Sequence, residues 1–199
     1  MNFWDQNFSG AAYKYGTEPN AFVAAESQRL ANGSYVLVPG DGEGRNGVWL
    51  AQQGHQVTAV DYSSVGLDKA RALAAQRGVA LHTELADLTE WQVPTQTFDA
   101  LVLVFVHLPA SIRTQVHHRL LKALKPGALV LIEAFTPKQL HMCSGGPKDA
   151  SMLYTLEQLR ADFGAETQEL MGLECETQLD EGPGHQGPAH VVRCVWQKC

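Results

Sequence analysis

One stretch restricts this chain more than any other: Val36-Leu37-Val38-Pro39-Gly40-Asp41-Gly42-Glu43-Gly44-Arg45-Asn46. An apolar run, Tyr35–Val38, stops at Pro39-Gly40. Three glycines then alternate with two carboxylates, and helix-forming sequence follows at once. A short run with no polar alternation suits a strand covered on both faces, as in a parallel sheet. Glycines, lacking Cβ, let the backbone turn sharply and come close to a ligand. The free N–H groups at the start of the following helix can then face an anionic ligand group. The next strand, Gln56–Asp61, ends in an acid. A carboxylate there accepts hydrogen bonds from both hydroxyls of a ribose, the arrangement of nucleoside-binding α/β folds. A glycine cluster alone is equally what a plain tight turn requires. The acid closing the next strand turns the reading toward a nucleoside.

The surrounding pattern agrees. Arg45 to Gln53 reads as a helix with Val48 and Ala51 inward and Gly54 ending it. Ser63 or Ser64 caps a second helix to about Gln76, with Leu67, Ala70, Leu73 and Ala74 on one face. Val79–Thr83 reads as a third strand and Phe98–Phe105 as a fourth. Ser111–Leu124 repeats its apolar residues at helical spacing. Lys125-Pro126-Gly127 turns the chain into the strand Ala128–Ala134. This β-α-β-α-β-β-α-β order predicts a doubly wound α/β fold. Residues 1–32 form an aromatic-rich lead with a helix near Phe22–Leu30. Residues 136–154 make a long connection, of the kind that is usually functional or disordered. Thr155–Phe163 follows as a helix, Thr167–Cys175 and His190–Trp196 as strands, and Gly182–Pro188 as the loop between them. The whole, 1–199, reads as one domain: a cap or lid over 1–32, a ligand-binding core over 33–135, and a C-terminal part over 136–199 that completes the sheet.

Composition excludes several classes. With 199 residues and 45% hydrophobic content the chain can bury one core. A net charge of −6 argues against a nucleic-acid interface, which needs clustered Lys and Arg. No apolar run has the length of a membrane span, and the start lacks the pattern of a secretion signal. The four cysteines, Cys143, Cys175, Cys194 and Cys199, have neither zinc-ligand nor disulfide-framework spacing, so no metal is expected. A cytoplasmic monomer or homodimer acting on a small molecule is the resulting expectation.

The glycine spacing separates the nucleoside classes. It is not Gly-x-Gly-x-x-Gly, as a dinucleotide site requires, and no Gly-Lys-Ser/Thr follows, as a Walker loop requires. Gly-x-Gly-x-Gly instead resembles motif I of class I S-adenosylmethionine-dependent methyltransferases. Thr58-Ala59-Val60-Asp61-Tyr62-Ser63 resembles their ribose-binding strand end, and Ala86-Asp87-Leu88 their adenine-contacting turn. Phe98-Asp99-Ala100-Leu101-Val102 resembles their fourth strand, and Leu124-Lys125-Pro126-Gly127-Ala128 the turn into their fifth. Tyr15-Gly16-Thr17-Glu18-Pro19-Asn20, Gly42-Glu43-Gly44-Arg45-Asn46 and Gly145-Gly146-Pro147-Lys148-Asp149 resemble segments of the tellurite-resistance and thiopurine-methyltransferase-like group of small bacterial enzymes. The resemblance implies a Rossmann-like, mostly parallel seven-stranded sheet with helices on both faces and an antiparallel last strand. It implies S-adenosyl-L-methionine as cofactor and methyl transfer to a soft small acceptor such as tellurite, selenite or a thiol. A nicotinamide-dependent oxidoreductase and a non-catalytic nucleoside-binding protein are the alternatives.

The same resemblance distributes roles. Gly40, Gly42 and Gly44 admit the methionyl part of the cofactor, Asp61 chelates the ribose, and Asp87, beside Leu88, bonds the adenine amino group. Asp41, Arg45, Asn46, Tyr62, Ser63, Val104 and Phe105 complete the cofactor set. The family commonly has an acid two positions before the first glycine; Val38 stands there, with Asp41 close enough to share that work. Asp87 is equally a turn carboxylate, and Tyr62 equally a surface aromatic. His107, just past the fourth strand, either serves the acceptor catalytically or is satisfied by backbone in a turn. His185 and Arg193 either orient an anionic acceptor or make a sheet-edge ion pair. Trp4 and Tyr15, with Phe8 and Tyr13, form either a lid over the substrate or core packing. His117-His118, amid polar neighbours, reads as solvated.

Overall fold

The computed structural model describes residues 2–199. After two short helices, α1 (Phe3–Phe8) and α2 (Ala21–Glu26), strands and helices alternate through β1 (Tyr35–Pro39), α3 (Arg45–Gln52), β2 (Gln56–Asp61), α4 (Ser64–Gln76) and β3 (His82–Leu85). Then come β4 (Phe98–Val104), α5 (Ala110–Lys122), β5 (Leu124–Phe135), α6 (Leu156–Phe163), β6 (Thr167–Glu181) and β7 (His185–Lys198). The sheet has seven strands in the order β3-β2-β1-β4-β5-β7-β6. The first five are mutually parallel, and β7 runs antiparallel between β5 and β6.

Side chains alternate across each central strand, and both sets are apolar. Leu37, Leu101, Leu103 and Ile132 meet Val116, Leu120 and Leu121 of α5 and Leu159 and Phe163 of α6. Val36, Val38, Ala100 and Val102 meet Phe22 and Val23 of α2 and Leu50 of α3. This two-sided burial explains why β1 and β4 carry no polar alternation. Each fully buried Leu or Val contributes about 1.5–3 kcal/mol relative to exposure.

Several elements differ from the sequence expectation. α1 has no counterpart in that expectation; Asn2 and Asp5 form a reciprocal capping box around its start. The expected helix over 22–30 ends at Glu26 and tightens into a single turn, Ser27–Arg29. The third strand begins at His82, because Val79 N–H still bonds back to Ala74 O at the exit of α4. The Lys125-Pro126-Gly127 turn is absorbed into β5, whose pairing with β4 shifts register there. The expected 182–188 loop shrinks to a tight turn, since β6 and β7 pair as far as Glu181↔His185. Pro188 is tolerated because β5 ends opposite Val191, leaving this part of β7 with a neighbour on one side only. His117 is buried rather than solvated: α5 packs against α6, and Asp162 accepts from its Nδ1 at 2.8 Å. Among the described residues, no helix is long and apolar enough to cross a membrane.

Candidate active site

The strand order reverses direction of growth between β1 and β4, and ligands of open α/β sheets bind outside the strand ends at such a point. A cleft of about 710 Å³ opens there. Its floor comes from the carboxyl ends of β1, β2 and β4, its roof from α1, and its far wall from residues 146–149 and His185.

The glycine loop turns through left-handed conformations, with φ of +67° at Gly40, +57° at Gly42 and +89° at Gly44. Each missing Cβ serves a different neighbour. A Cβ on Gly40 would lie 2.7 Å from Val106 Cγ2, and one on Gly42 would lie 3.0 Å from Phe8 Cζ. Gly44 does not line the cleft. It faces α4, where a Cβ would lie 2.6 Å from that of Ala70. Its glycine serves helix packing, a correction to the expectation that it admits the cofactor.

Asp61 faces the cleft from the end of β2. Its Oδ2 accepts from Gly42 N–H and its Oδ1 from Ser63 N–H, both at 2.8 Å. Those bonds fix the carboxylate plane and leave each oxygen a further acceptor site. Burial raises its pKa, against the backbone bonds that lower it. Ser63 itself is set back. Its hydroxyl donates to Asp5 at 2.7 Å and accepts from Gly66 N–H at 3.0 Å, so it caps α4 and anchors α1 rather than touching a ligand. Tyr62, exposed, and Asp87, Leu88 and Thr89 line the neighbouring rim. Asp87 Oδ1 accepts from Thr89 N–H at 2.8 Å, a turn bond that holds it there.

At the other end of the loop, Asp41, Arg45 and Asn46 line the cleft. Asp41 accepts from Gly47 N–H through both oxygens at 3.2 Å, and burial pushes its pKa up to about 7. Val38 points into the core. Arg45 Nη2 donates to Glu181 Oε2 at 2.7 Å, while Arg45 Nη1 is buried without a partner.

Beyond the loop the wall is aromatic. Phe105, held at φ +54°, stacks on Phe135 at 4.3 Å between centroids and meets the edge of His185 at 4.6 Å. A bulky residue in the left-handed region is strained by about 1–3 kcal/mol, and such strain clusters at functional sites. Tyr15 lies 4.4 Å from His185. Trp4 stacks on Phe8 at 5.4 Å, and both reach the cleft from α1. Val104 completes the β4 end.

His107 lines the cleft, yet both ring nitrogens are engaged. Nδ1 is 2.6 Å from Met152 O and Nε2 accepts from Phe135 N–H at 3.2 Å. Desolvation lowers its pKa to about 4. The geometry therefore gives His107 a neutral, wall-forming role instead of the catalytic one expected. Arg193 lies outside the cleft lining, its Nε donating to Glu133 and its Nη2 to Thr177 Oγ1 at 3.2 Å; of its two expected readings this is the ion pair within the sheet, and the place beside the acceptor is corrected. The sequence reading missed Lys14, Phe135, Pro147 and Met152 as site residues; they line the cleft beside Phe8, which it had grouped with the lid aromatics. The length of the 136–154 connection was the available signal for two of them.

Whether this site fits a nucleoside cofactor with an amino-acid tail is tested by its unused groups. Asp61 retains acceptor sites where ribose hydroxyls need them, and Arg45 keeps an unpaired buried donor where a carboxylate would use it. The residues fit S-adenosylmethionine.

Comparison with known proteins agrees. Residues 36–127 match the family model described as "Methyltransferase domain". A 2-heptyl-1-hydroxyquinolin-4(1H)-one methyltransferase of Mycobacteroides abscessus is 25% identical over 119 residues, 58% of this chain and 52% of that protein. The chain thus spans about half the length of that curated relative. A S-adenosylmethionine-dependent methyltransferase from Methanosarcina mazei superposes with a TM-score of 0.72 at 16% identity, covering 87% of this chain and 96% of the other. TehB from Haemophilus influenzae superposes at 0.73 and 17% identity, covering 99% and 66%. These structures share the fold: a seven-stranded Rossmann-like sheet with helices on both faces and an antiparallel strand near its end. Residues 36–127, which carry the glycine loop and Asp61, are thus the part of this chain that is similar to methyltransferase domains.

Proposed function

We propose that this chain transfers a methyl group from S-adenosylmethionine to a small acceptor with a soft nucleophilic atom, a thiol or a reduced chalcogen oxyanion such as tellurite or selenite. The observation that carries the reading is a pair of groups with unused bonding capacity on residues that line one cleft, the Asp61 carboxylate and the Arg45 Nη1 donor. The bound cofactor supplies an electrophilic methyl on a sulfonium that leaves as a neutral thioether. The chain's own residues bind, align and exclude water. Asp61 holds the ribose, and Asp87 with Leu88 the adenine. Phe8, Trp4 and Tyr15 cover the loop, and Phe105 with Phe135 shapes the acceptor wall. Alignment of this kind can supply about 7–11 kcal/mol. A soft acceptor needs no strong base, which suits a cleft whose His107 is already occupied.

One observation favours a second acceptor type. His185 Nδ1 lies 3.5 Å from Glu181 Oε2, and desolvation leads the lowering of its pKa, so a neutral imidazole backed by a carboxylate faces the cleft. That pair can take the proton of a hydroxylated aromatic acceptor, the class named for the Mycobacteroides relative.

Calorimetric titration with S-adenosylhomocysteine, then turnover with selenite, tellurite, an aryl thiol and an N-hydroxyquinolone, tests both. The parent protein is expected to bind the homocysteine form. Asp61→Ala is expected to lose about 2–4 kcal/mol, roughly 30- to 1,000-fold in Kd. Equal binding by both proteins would remove the ribose assignment. Turnover of the quinolone alone, abolished by His185→Gln, selects the second acceptor type.

A further inference from the structure

Beneath the cleft, five segments meet in a chain of largely buried polar groups that ion pairs alone do not explain. Asn20, 1% exposed, donates from its one Nδ2 to Glu133 Oε1 at 2.9 Å and to Glu181 Oε1 at 2.8 Å. Glu181 Oε2 receives Arg45 Nη2, and Glu133 Oε2 receives Arg193 Nε. Asn20 is itself fixed: its Oδ1 accepts from Val23 N–H at 3.0 Å, and its N–H donates to Asn46 Oδ1 at 2.9 Å. Two buried carboxylates thus share both protons of one amide, with a guanidinium at each outer end. The two ends differ. Arg193 also donates to Thr177, whereas Arg45 leaves Nη1 buried and unpaired at the cleft.

A buried donor on a cation is costly to leave unsatisfied. Around Glu181 two buried nitrogens lack a hydrogen-bond partner, Arg45 Nη1 and His185 Nδ1, and both belong to residues that line the cleft; of the two only the Arg45 guanidinium carries a fixed positive charge. We propose that Glu181 and Asn20 are positioning residues that hold the Arg45 fork so that its Nη1 receives the carboxylate of the cofactor's amino-acid tail. The inference rests on the methyl-donor reading above. Its content is that the C-terminal hairpin and the lead segment, both outside residues 36–127, set selectivity for that tail. Glu181 stays charged and so keeps its hold on the fork. Burial raises its pKa, but His185, Arg45 and Asn20 beside it outweigh that and hold it down at about 2.

Calorimetry on the full chain with two ligands tests this. One is S-adenosylhomocysteine; the other is its decarboxylated analogue, which keeps adenosine, thioether and amine. The parent is expected to prefer the carboxylate form by at least about 10-fold. Glu181→Gln, which removes the charge and turns one acceptor into a donor facing Asn20, is expected to weaken that form by about 10- to 100-fold and leave the analogue unchanged. Arg45→Lys, which keeps the charge and loses the fork, is expected to do the same and serves if the first variant misfolds. Tighter binding of the carboxylate form by Glu181→Gln overturns the proposal, because Glu181 would then merely compete for Arg45. Equal loss of both ligands also overturns it, as a structural role. Equal affinity of the parent for both assigns the anion to the acceptor instead and overturns it as well. A parent that binds neither ligand overturns the methyl-donor reading first.

Discussion

His107 sits between the Met152 carbonyl and the Phe135 amide, and that placement fixes what its imidazole can do. A ring that donates through Nδ1 and accepts through Nε2 has no nitrogen left for an acceptor proton. His107→Gln is expected to lower stability by about 1–3 kcal/mol, the cost of unpaired buried groups, while changing kcat by less than about 10-fold. A loss of kcat near 1,000-fold with unchanged stability would restore a catalytic role. Denaturant unfolding beside steady-state rates reads both. Arg193 teaches the same lesson. From sequence its side chain was free to face the acceptor; in the fold Glu133 claims it. Sequence reasoning held both readings of each residue open and could not choose, because the partners are distant in the chain: Phe135, Met152 and Glu133 are near neighbours only after the sheet forms.

The elements were legible where local chemistry and burial agreed. β1, α3, β2 and β4 fall within a residue or so of their expected limits, because apolar runs closed by Pro39-Gly40 and Gly54 permit few alternatives. Elements at the chain ends were less so. α1 is six residues long and depends on Asp5 bonding Ser63 and on Phe8 packing over Gly42 and Gly66. No short helix of that length is stable by itself. The approach of α3 to α4 was likewise invisible in sequence. At Gly44 a Cβ would meet both Cβ and Cα of Ala70, at 2.6 and 2.8 Å, in a backbone with φ of +89°. Gly44→Ala is therefore expected to cost about 2–5 kcal/mol through backbone strain and overpacking. At about 2–4 °C per kcal/mol for a chain of this size, thermal melting should show a Tm lower by roughly 5–15 °C. A Tm within about 2 °C of the parent would mean that the two helices do not meet as closely as described.

At the scale of the molecule, the cleft makes two groups titrate in opposite senses. Desolvation holds His107 at about 4, below its ordinary 6.5, so the unfolded chain binds more protons between those values. The stability this group contributes is complete above pH 6.5 and is lost as pH falls through 4. Asp41 is raised from 3.8 to about 7 by burial, so the folded chain holds the extra proton. Its contribution is complete below pH 3.8 and is lost as pH rises through 7. Asp41→Asn, whose side-chain oxygen still accepts from Gly47 N–H, is expected to gain on the parent between pH 5 and 8, by on the order of 4 kcal/mol at most. His107→Gln is expected to gain on the parent as pH falls from 7 to 4.5. Urea unfolding across that range decides, and parallel curves for parent and variants would contradict both.

The sequence by itself determined the sheet's central strands, the glycine loop and the acid at the end of β2, because each depends on residues close in the chain and on a burial pattern that local spacing records. Tertiary structure alone decided which polar groups are used up and which stay open. Asn20, Glu133, Glu181 and Arg45 come from four separate segments. Whether a buried hydrogen-bonding group is satisfied depends on neighbours that only the folded chain supplies.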